Sequence, residues 1–117
     1  VDINDISLLG YSQGSQMSYE YALEHPEKIR RVIAFSGFSP AVVNDENLDR
    51  ASKNRLKVMA VSGVSDSPDF IRSTELLEEK MKQHGIQFGM KLEPDLPHGL
   101  PFDMKSYCVE IWNELRK

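Results

Sequence analysis

The stretch Ile6-Ser-Leu-Leu-Gly-Tyr-Ser-Gln-Gly14 decides the fold of this chain. Its first four residues have strand character and lead directly into the pattern G-x-S-x-G, and residues 13–24 then read as a helix that is stopped by Pro26. A serine on so tight a strand-to-helix turn lies in strained backbone, and small residues two before and two after it are expected to avoid clashes with the neighbouring chain. Because the turn lifts the Ser12 hydroxyl clear of the sheet, Ser12 is the first candidate nucleophile.

The rest of the chain alternates short apolar runs with longer amphipathic stretches, which is typical of a parallel sheet flanked by helices. Further strands are predicted over residues 31–35, 56–61 and 86–92, and further helices over residues 67–84 and from about Asp103 onward. Residues 39–55 are polar and irregular and are expected to form either a short helix or a mobile segment. The prediction is an α/β fold with a mostly parallel sheet of about four strands and at least three helices, in a single domain over residues 1–117.

The two later helices carry clear signals. Ser67 is expected to cap the first of them, with Pro68 at its first position and Asp69 in its first turn, and Gly85 is expected to end it in left-handed backbone. The last helix is expected to bury a stripe of side chains at helical spacing, namely Met104, Tyr107, Cys108, Ile111, Trp112 and Leu115.

The composition limits the classes of function. The 117 residues include 14 Lys or Arg and 18 Asp or Glu, and the resulting net charge of −4 argues against a nucleic-acid partner, whose phosphates would be repelled. The longest apolar runs are far too short to cross a bilayer, and no signal peptide is visible. The single cysteine, Cys108, excludes an internal disulfide framework and a multi-cysteine zinc site.

A serine nucleophile needs a base, and the chain has three histidines. His25 and His84 each lie at a helix end, where a surface role that stabilises the helix dipole is the simpler explanation. His98 lies in the loop Pro94-Asp-Leu-Pro-His-Gly-Leu-Pro101, after the fourth predicted strand. In a parallel sheet that loop falls on the same edge as Ser12, so His98 is the preferred base, with a solvent-exposed loop histidine as the alternative.

The third member of such a site is a carboxylate that orients the imidazole. Asp66 follows the third predicted strand at the same sheet edge and is the preferred candidate. Asp69, which is also explained as a helix first-turn residue, is the main competitor, and Asp95 could contact His98 locally. The order serine, acid, histidine along the chain is that of one hydrolase fold and differs from the orders in chymotrypsin and subtilisin.

These motifs resemble the α/β-hydrolase superfamily, specifically its carboxylesterase, lysophospholipase and acyl-thioesterase-like branch. Gly10-Tyr-Ser-Gln-Gly14 followed by Met17 is similar to the G-F-S-Q-G-G-x-M nucleophile elbow of that branch, and Val32-Ile-Ala-Phe-Ser-Gly-Phe38 is similar to its second strand. Ser62-Gly-Val-Ser-Asp66 resembles the H-G-x-x-D segment that holds the acid, and Pro97-His-Gly-Leu100 resembles the G-H-G-I loop that holds the base.

Three positions depart from the pattern of the branch. Ser15 stands in place of the second glycine after the elbow, Ser62 in place of a histidine, and Ser67 in place of the proline after the acid. The last two flank the segment that contains Asp66, so Asp69 stays open as the acid. Cutinases also carry G-Y-S-Q-G, but they are secreted and stapled by disulfides, which a single cysteine does not match, so we expect a cytoplasmic protein.

The resemblance implies a serine hydrolase that cleaves a small-molecule carboxylic ester or thioester through an acyl-enzyme intermediate, without a metal or an organic cofactor. The implied residues are the catalytic Ser12, Asp66 and His98, the oxyanion-hole amide of Gln13, and the elbow glycines Gly10 and Gly14.

The resemblance covers only the second half of the family's fold, because the chain begins at the strand that bears the nucleophile. The earlier strands and a loop that supplies a second oxyanion N–H would lie upstream, so the chain is expected to be either part of a longer protein or a stand-alone half. The strand over residues 6–9 then becomes a sheet edge, which predicts a homo-oligomer or association with a missing N-terminal half. A non-catalytic half-domain that serves binding or assembly is the alternative function.

Overall fold

A computed structural model describes residues 3, 5–36, 43–94 and 103–116 of the chain. Strands and helices alternate through these residues, and all four predicted strands are present. The elements in chain order are β1 (Ile6–Tyr11), α1 (Gln13–Glu24), β2 (Ile29–Phe35), α2 (Asp45–Lys53), β3 (Lys57–Gly63), α3 (Pro68–Gln83), β4 (Gln87–Glu93) and α4 (Met104–Arg116).

The four strands form one parallel sheet in the order β1-β2-β3-β4. Each strand therefore pairs with the strand that follows it along the chain, and the chain must cross back between them, as parallel pairing requires. Within the described residues β1 is an edge of the sheet and pairs only with β2. The carboxyl ends of all four strands lie at one edge of the sheet, which is the edge where loops of such folds form sites.

Helices cover both faces of the sheet, as the alternation of strands and helices predicts. Successive residues of β2 point to opposite faces, so Val32 and Ala34 belong to one buried cluster while Ile33 and Phe35 belong to the other. Side chains of α1, α2 and α3 complete the first cluster, and side chains of α4 complete the second. The fold is thus a three-layer α/β/α arrangement, and the predicted fold class is confirmed.

Helix α2 is regular, whereas the sequence of this region is polar and irregular. Asn44 occupies its N-cap position, where the side-chain oxygen accepts a hydrogen bond from the amide of Asn47 at 2.9 Å. Only Leu48 and Ala51 of this helix are buried. Two apolar positions are too few to give a periodic signal, which explains why the helix is not evident from the pattern alone. Residues 37–42 lie outside the described residues.

The apolar stripe of α4 is only partly buried. Ile111 and Leu115 are buried, whereas the other members of the predicted stripe are half-buried against the same cluster, namely Met104, Tyr107, Cys108 and Trp112. The helix packs on β2 and β3, and a groove beside β1 leaves its remaining flank open. The spacing therefore predicts the correct face of the helix but overstates its depth of burial.

The start of α3 differs from the prediction in one detail. Ser67 occupies the N-cap position, but its side chain makes no capping hydrogen bond; its amide N–H instead donates to the carboxylate of Asp66 at 2.7 Å. Pro68 takes the first helical position, and Gly85 follows the helix with φ 79°, both as predicted.

Candidate active site

The turn between β1 and α1 has strained backbone at Ser12. This residue has φ 55° and ψ −115°, a combination that a residue with a Cβ rarely adopts. Ser12 is also the N-cap residue of α1, yet its side chain does not cap the helix. A serine in the usual extended N-cap geometry would accept a hydrogen bond from the second or third helical amide. The strain that the motif predicts is therefore present, and the Ser12 hydroxyl makes no capping hydrogen bond to α1.

One carbonyl group at the end of β2 holds this turn in place. The amide N–H of Ser12 donates to the carbonyl oxygen of Phe35 at 2.8 Å, and the Ser15 hydroxyl oxygen lies 2.8 Å from the same atom. The Ser15 hydroxyl oxygen also lies 2.8 Å from the carbonyl oxygen of Gly10, and the side chain of Ser15 is completely buried. Ser15 thus fastens the first turn of α1 to the ends of both β1 and β2. The sequence shows only that Ser15 departs from the family pattern and does not predict this role.

The two glycines of the motif are not equivalent. A Cβ built on Gly10 would lie 2.4 Å from the carbonyl oxygen of Gly14 and 2.7 Å from the amide nitrogen of Ser15. A Cβ built on Gly14 would meet no atom of the described residues within 4 Å. The expectation that both positions must be small is thus met at Gly10, which closely approaches the backbone of the first helical turn, whereas no atom of the described residues requires a small residue at Gly14.

The amide of Gln13 lies at the positive end of α1. Gln13 is the first residue of that helix and directly follows Ser12. Amides in the first turn of a helix have no partner within the helix, and the helix dipole favours negative charge there. An oxyanion that develops beside Ser12 would meet a donor of this kind.

The two candidate acids differ in burial. Asp66 follows β3 at the carboxyl edge of the sheet and is only 5% exposed. Its carboxylate is held by the amide of Ser67, and its own amide donates to the carbonyl oxygen of Gly63 at 3.0 Å. Asp69 is exposed in the first turn of α3 and lines a surface cleft along that helix. Asp66 is therefore a fixed carboxylate at the carboxyl edge, whereas Asp69 faces outward.

The three histidines have different surroundings. His98, the preferred base, lies outside the described residues. His25 ends α1, with its Nδ1 atom 3.8 Å from a carboxylate oxygen of Glu27. His84 ends α3 and joins it to α2, because its ring nitrogens lie 2.7 Å and 3.1 Å from carboxylate oxygens of Asp49 and Asp45. The hydrogen bond to Asp49 is the main cause that raises the pKa of His84.

The segment 95–102, which includes His98 and Asp95, lies outside the described residues, but the elements on either side of it are joined. The hydroxyl of Tyr107 in α4 donates to the carboxylate of Glu93, the last residue of β4. Burial, and secondarily this contact with Glu93, raises the pKa of Tyr107. The Tyr107 ring also lies 6.0 Å from the ring of Phe35. Tyr107, which the sequence marks only as part of an apolar stripe, thus joins the carboxyl end of β4 to the end of β2.

Metal and membrane features are absent from the part of the chain that the structure describes. Within residues 5–36, 43–94 and 103–116, no group of three or more His, Cys, Asp and Glu side chains is placed to hold a metal ion. None of the helices in those ranges combines the length and apolar character that a bilayer crossing requires.

A parallel sheet whose first strand ends in a strained serine at a helix N-terminus, with helices on both faces, defines an α/β-hydrolase-type fold. Residues 1–102 match the model of the phospholipase/carboxylesterase family, and the chain belongs to that family.

Solved structures of esterases and thioesterases share this fold. The esterase PE8 matches with a TM-score of 0.75 at 22% identity, over 98% of this chain and 52% of its own. SOBER1 of Arabidopsis thaliana matches with a TM-score of 0.79 at 15% identity, over 100% of this chain and 56% of its own. Acyl-protein thioesterase 2 of Zea mays matches with a TM-score of 0.68 at 17% identity, over 95% of this chain and 56% of its own.

The chain therefore spans about half the length of these solved proteins. At these low identities, the TM-scores establish a common fold and no more. No curated protein matches the chain.

Proposed function

We propose that this protein is a serine hydrolase that cleaves a carboxylic ester or thioester through an acyl-enzyme intermediate. The observation that carries the proposal is the backbone of Ser12, at φ 55° and ψ −115° between β1 and α1, in a chain of the phospholipase/carboxylesterase family. Strain of this kind persists only where the surroundings enforce it, and it is concentrated at functional sites. An ordinary serine at a helix start would adopt extended backbone and cap the helix.

The proposed reaction uses four groups. The Ser12 hydroxyl oxygen attacks the substrate carbonyl carbon while His98 takes the hydroxyl proton, Asp66 orients the imidazole, and the Gln13 amide donates to the oxyanion. Collapse of the tetrahedral intermediate expels the alcohol or thiol, which receives the proton from His98. Water then attacks the acyl-enzyme with His98 again as the base, and the carboxylic acid leaves as Ser12 is restored.

Labelling with a fluorophosphonate probe tests the nucleophile. Such a probe reacts with an activated serine, so we expect one modified residue, Ser12, and no labelling of Ser12→Ala. Ser65→Ala is the matched control, because Ser65 is an exposed serine in the turn after β3 and its loss should leave labelling unchanged. Modification of another serine, or equal labelling of Ser12→Ala, would overturn the proposal.

Two asparagine variants test the acid. Asn keeps an oxygen that can accept the hydrogen bond from Ser67 to residue 66, so Asp66→Asn removes the charge while leaving the turn in place. We expect this variant to lower turnover of an activated ester by about 10⁴, whereas Asp69→Asn should change it no more than a few-fold, because Asp69 is exposed on α3. The opposite pattern would transfer the role to Asp69.

The open edge of β1 favours a second candidate function, that of a binding or assembly module. Leu9 in this strand is 50% exposed. A groove of about 250 Å³ lies on one face of β1, lined in part by Leu8, Val109 and Trp112. Unpaired strand edges with apolar side chains readily pair with another strand. We propose that this edge pairs with a strand of the other half of a hydrolase sheet, since the chain spans about half the length of its solved relatives.

A charge placed on the edge tests this pairing. If the edge is paired, hydrogen exchange should find the β1 amides that face away from β2 protected, and Leu9→Lys should reduce that protection because a lysine on an edge strand disfavours pairing. Leu76→Lys is the matched control, since Leu76 is 49% exposed on α3. A dimer in sedimentation that dissociates in Leu9→Lys would identify a second copy as the partner. A stable monomer at tens of micromolar with freely exchanging β1 amides would exclude a second copy as the partner, and failure of the other half of a hydrolase sheet to protect those amides when added would contradict the pairing.

A further inference from the structure

A cleft at the amino ends of the strands, opposite the edge that bears Ser12, is lined mainly by cations. It has a volume of about 640 Å³, and the described residues that line it supply, besides Asn54, five basic side chains and one carboxylate, those of Arg30, Arg31, Lys53, Arg55, Lys57 and Asp5. The whole chain has a net charge of −4, so this local excess of positive charge runs against the overall balance. A concentrated patch of one charge in a cleft attracts ligands of the other sign.

Two of these cations are neighbours in the sheet. Arg31 of β2 is paired with Lys57 of β3, and side chains at paired positions point to the same face. Asp5 forms an ion pair with Arg31, but Lys57 forms no ion pair with any described residue. The Nε atom of Arg31 is buried without a hydrogen-bond partner among those residues. An anion in the cleft would relieve the repulsion between the two cations and supply an acceptor for the Lys57 ammonium group.

Arg55 holds a backbone position that glycine usually occupies. It comes directly after Asn54, the C-cap residue of α2, and it has φ 60°. Glycine is preferred there because a Cβ is disfavoured in left-handed backbone. Arg30 fixes the same turn, since its Nη1 atom donates to the carbonyl oxygen of Asn54 at 2.8 Å. A guanidinium group is therefore kept at the wall of the cleft in backbone that would suit glycine better.

We propose that this cleft binds a small molecule through a diphosphate or similarly multiply charged phosphate group. Guanidinium groups match phosphate oxygens with paired N–H donors, and lysine ammonium groups add positive charge. Among the described residues, the cations of the cleft outnumber its carboxylate by four. A group with a single negative charge would leave most of that surplus uncompensated, whereas a diphosphate places several negative charges within the same volume.

Titration calorimetry of the protein with inorganic diphosphate at low ionic strength tests the site. Arg55→Gly and Lys57→Gln should each weaken binding by about tenfold, the loss expected for one charge-assisted contact. Lys105→Gln is the control, because Lys105 is exposed on α4 outside the cleft, and it should change the affinity by less than about twofold. Arg55→Gly also relieves the left-handed backbone, so its melting temperature should equal or exceed that of the parent protein.

Saturable binding of one diphosphate per chain that Arg55→Gly weakens without lowering the melting temperature would support the proposal. Affinity that is the same in Arg55→Gly and Lys57→Gln as in the parent protein would overturn it. Equal weakening by Lys105→Gln would also overturn it, since the effect would then come from net charge alone. Citrate serves as a phosphate-free anion of several charges, and binding as tight as that of diphosphate would overturn the assignment to phosphate.

Discussion

Replacing Gly10 and Gly14 in turn by alanine should affect the stability of the protein in opposite directions. Ordinary van der Waals contacts of a Cβ begin near 3.4 Å, and a Cβ on Gly10 would lie 2.4 Å from the carbonyl oxygen of Gly14. The backbone that it meets is fastened by the buried hydroxyl of Ser15 and has little freedom to move away. Overpacking of this kind costs about 1–3 kcal/mol, and we expect the upper end for Gly10→Ala.

The same substitution at Gly14 meets open space within the described residues. Gly14 is a residue of α1, where alanine is favoured over glycine by up to about 1 kcal/mol. The two variants should therefore differ in free energy of unfolding by roughly 3–4 kcal/mol. For a chain of this size that corresponds to about 12–16 °C in melting temperature.

Urea and thermal unfolding of the two variants measure this difference. Fluorophosphonate labelling is a second measurement. Gly10→Ala should displace the turn and abolish modification of Ser12, while Gly14→Ala should leave Ser12 open to modification. Equal stability of the two variants, or lower stability of Gly14→Ala, would show that the close contact at Gly10 does not govern the turn.

Three further results are expected. Ser15→Ala should lower the free energy of unfolding by about 1–3 kcal/mol, because it removes the hydroxyl that bonds buried carbonyl groups. Ser18→Ala loses only a hydrogen bond within α1 and should change the free energy of unfolding by less than about 0.5 kcal/mol. Urea unfolding measures both variants, and equal losses of stability would contradict the reasoning. The pKa of His84 is raised above its ordinary value of 6.5 in the folded protein, so its stabilising effect is fully present below pH 6.5 and is lost as the pH rises through the raised pKa. The urea midpoint should show this fall, Asp49→Asn should reduce it, and an unchanged pH dependence would argue against the ion pair. Burial raises the pKa of the Cys108 thiol, so iodoacetamide should alkylate it more slowly than free cysteine at mildly alkaline pH, and equal rates would disprove its protection.

The strands could be predicted from the sequence because each is a short apolar run bounded by glycine, proline or polar residues. The run at residues 31–35 corresponds to β2, and the strain at Ser12 follows from the order strand, G-x-S-x-G, helix. The predicted end of β1 at Leu9 is too early, since the strand continues to Tyr11, which pairs with Phe35. Gly10 does not interrupt β1, because the adjacent strand β2 continues alongside it.

The remaining features depend on contacts that a single sequence does not display. Asp66 and Asp69 are three residues apart and chemically identical, and only the turn after β3 buries the first and leaves the second exposed. Ser15 cannot be distinguished from a surface serine until the two carbonyl groups that it contacts are brought together by the β1–β2 pairing. The role of His98 stays a prediction.

Phe35 belongs to two parts of the molecule at once. Its carbonyl oxygen accepts the hydrogen bond from the Ser12 amide, while its ring is fully buried among side chains that include Tyr107 and Ile111 of α4. The serine turn is thus mechanically coupled to the packing of a helix on the opposite face of the sheet from α1. Misplacement of a reacting group by 1 Å can cost roughly 10²-fold in rate, so changes of side-chain volume in α4 offer a route by which substitutions that never touch the substrate could tune the reactivity proposed for Ser12.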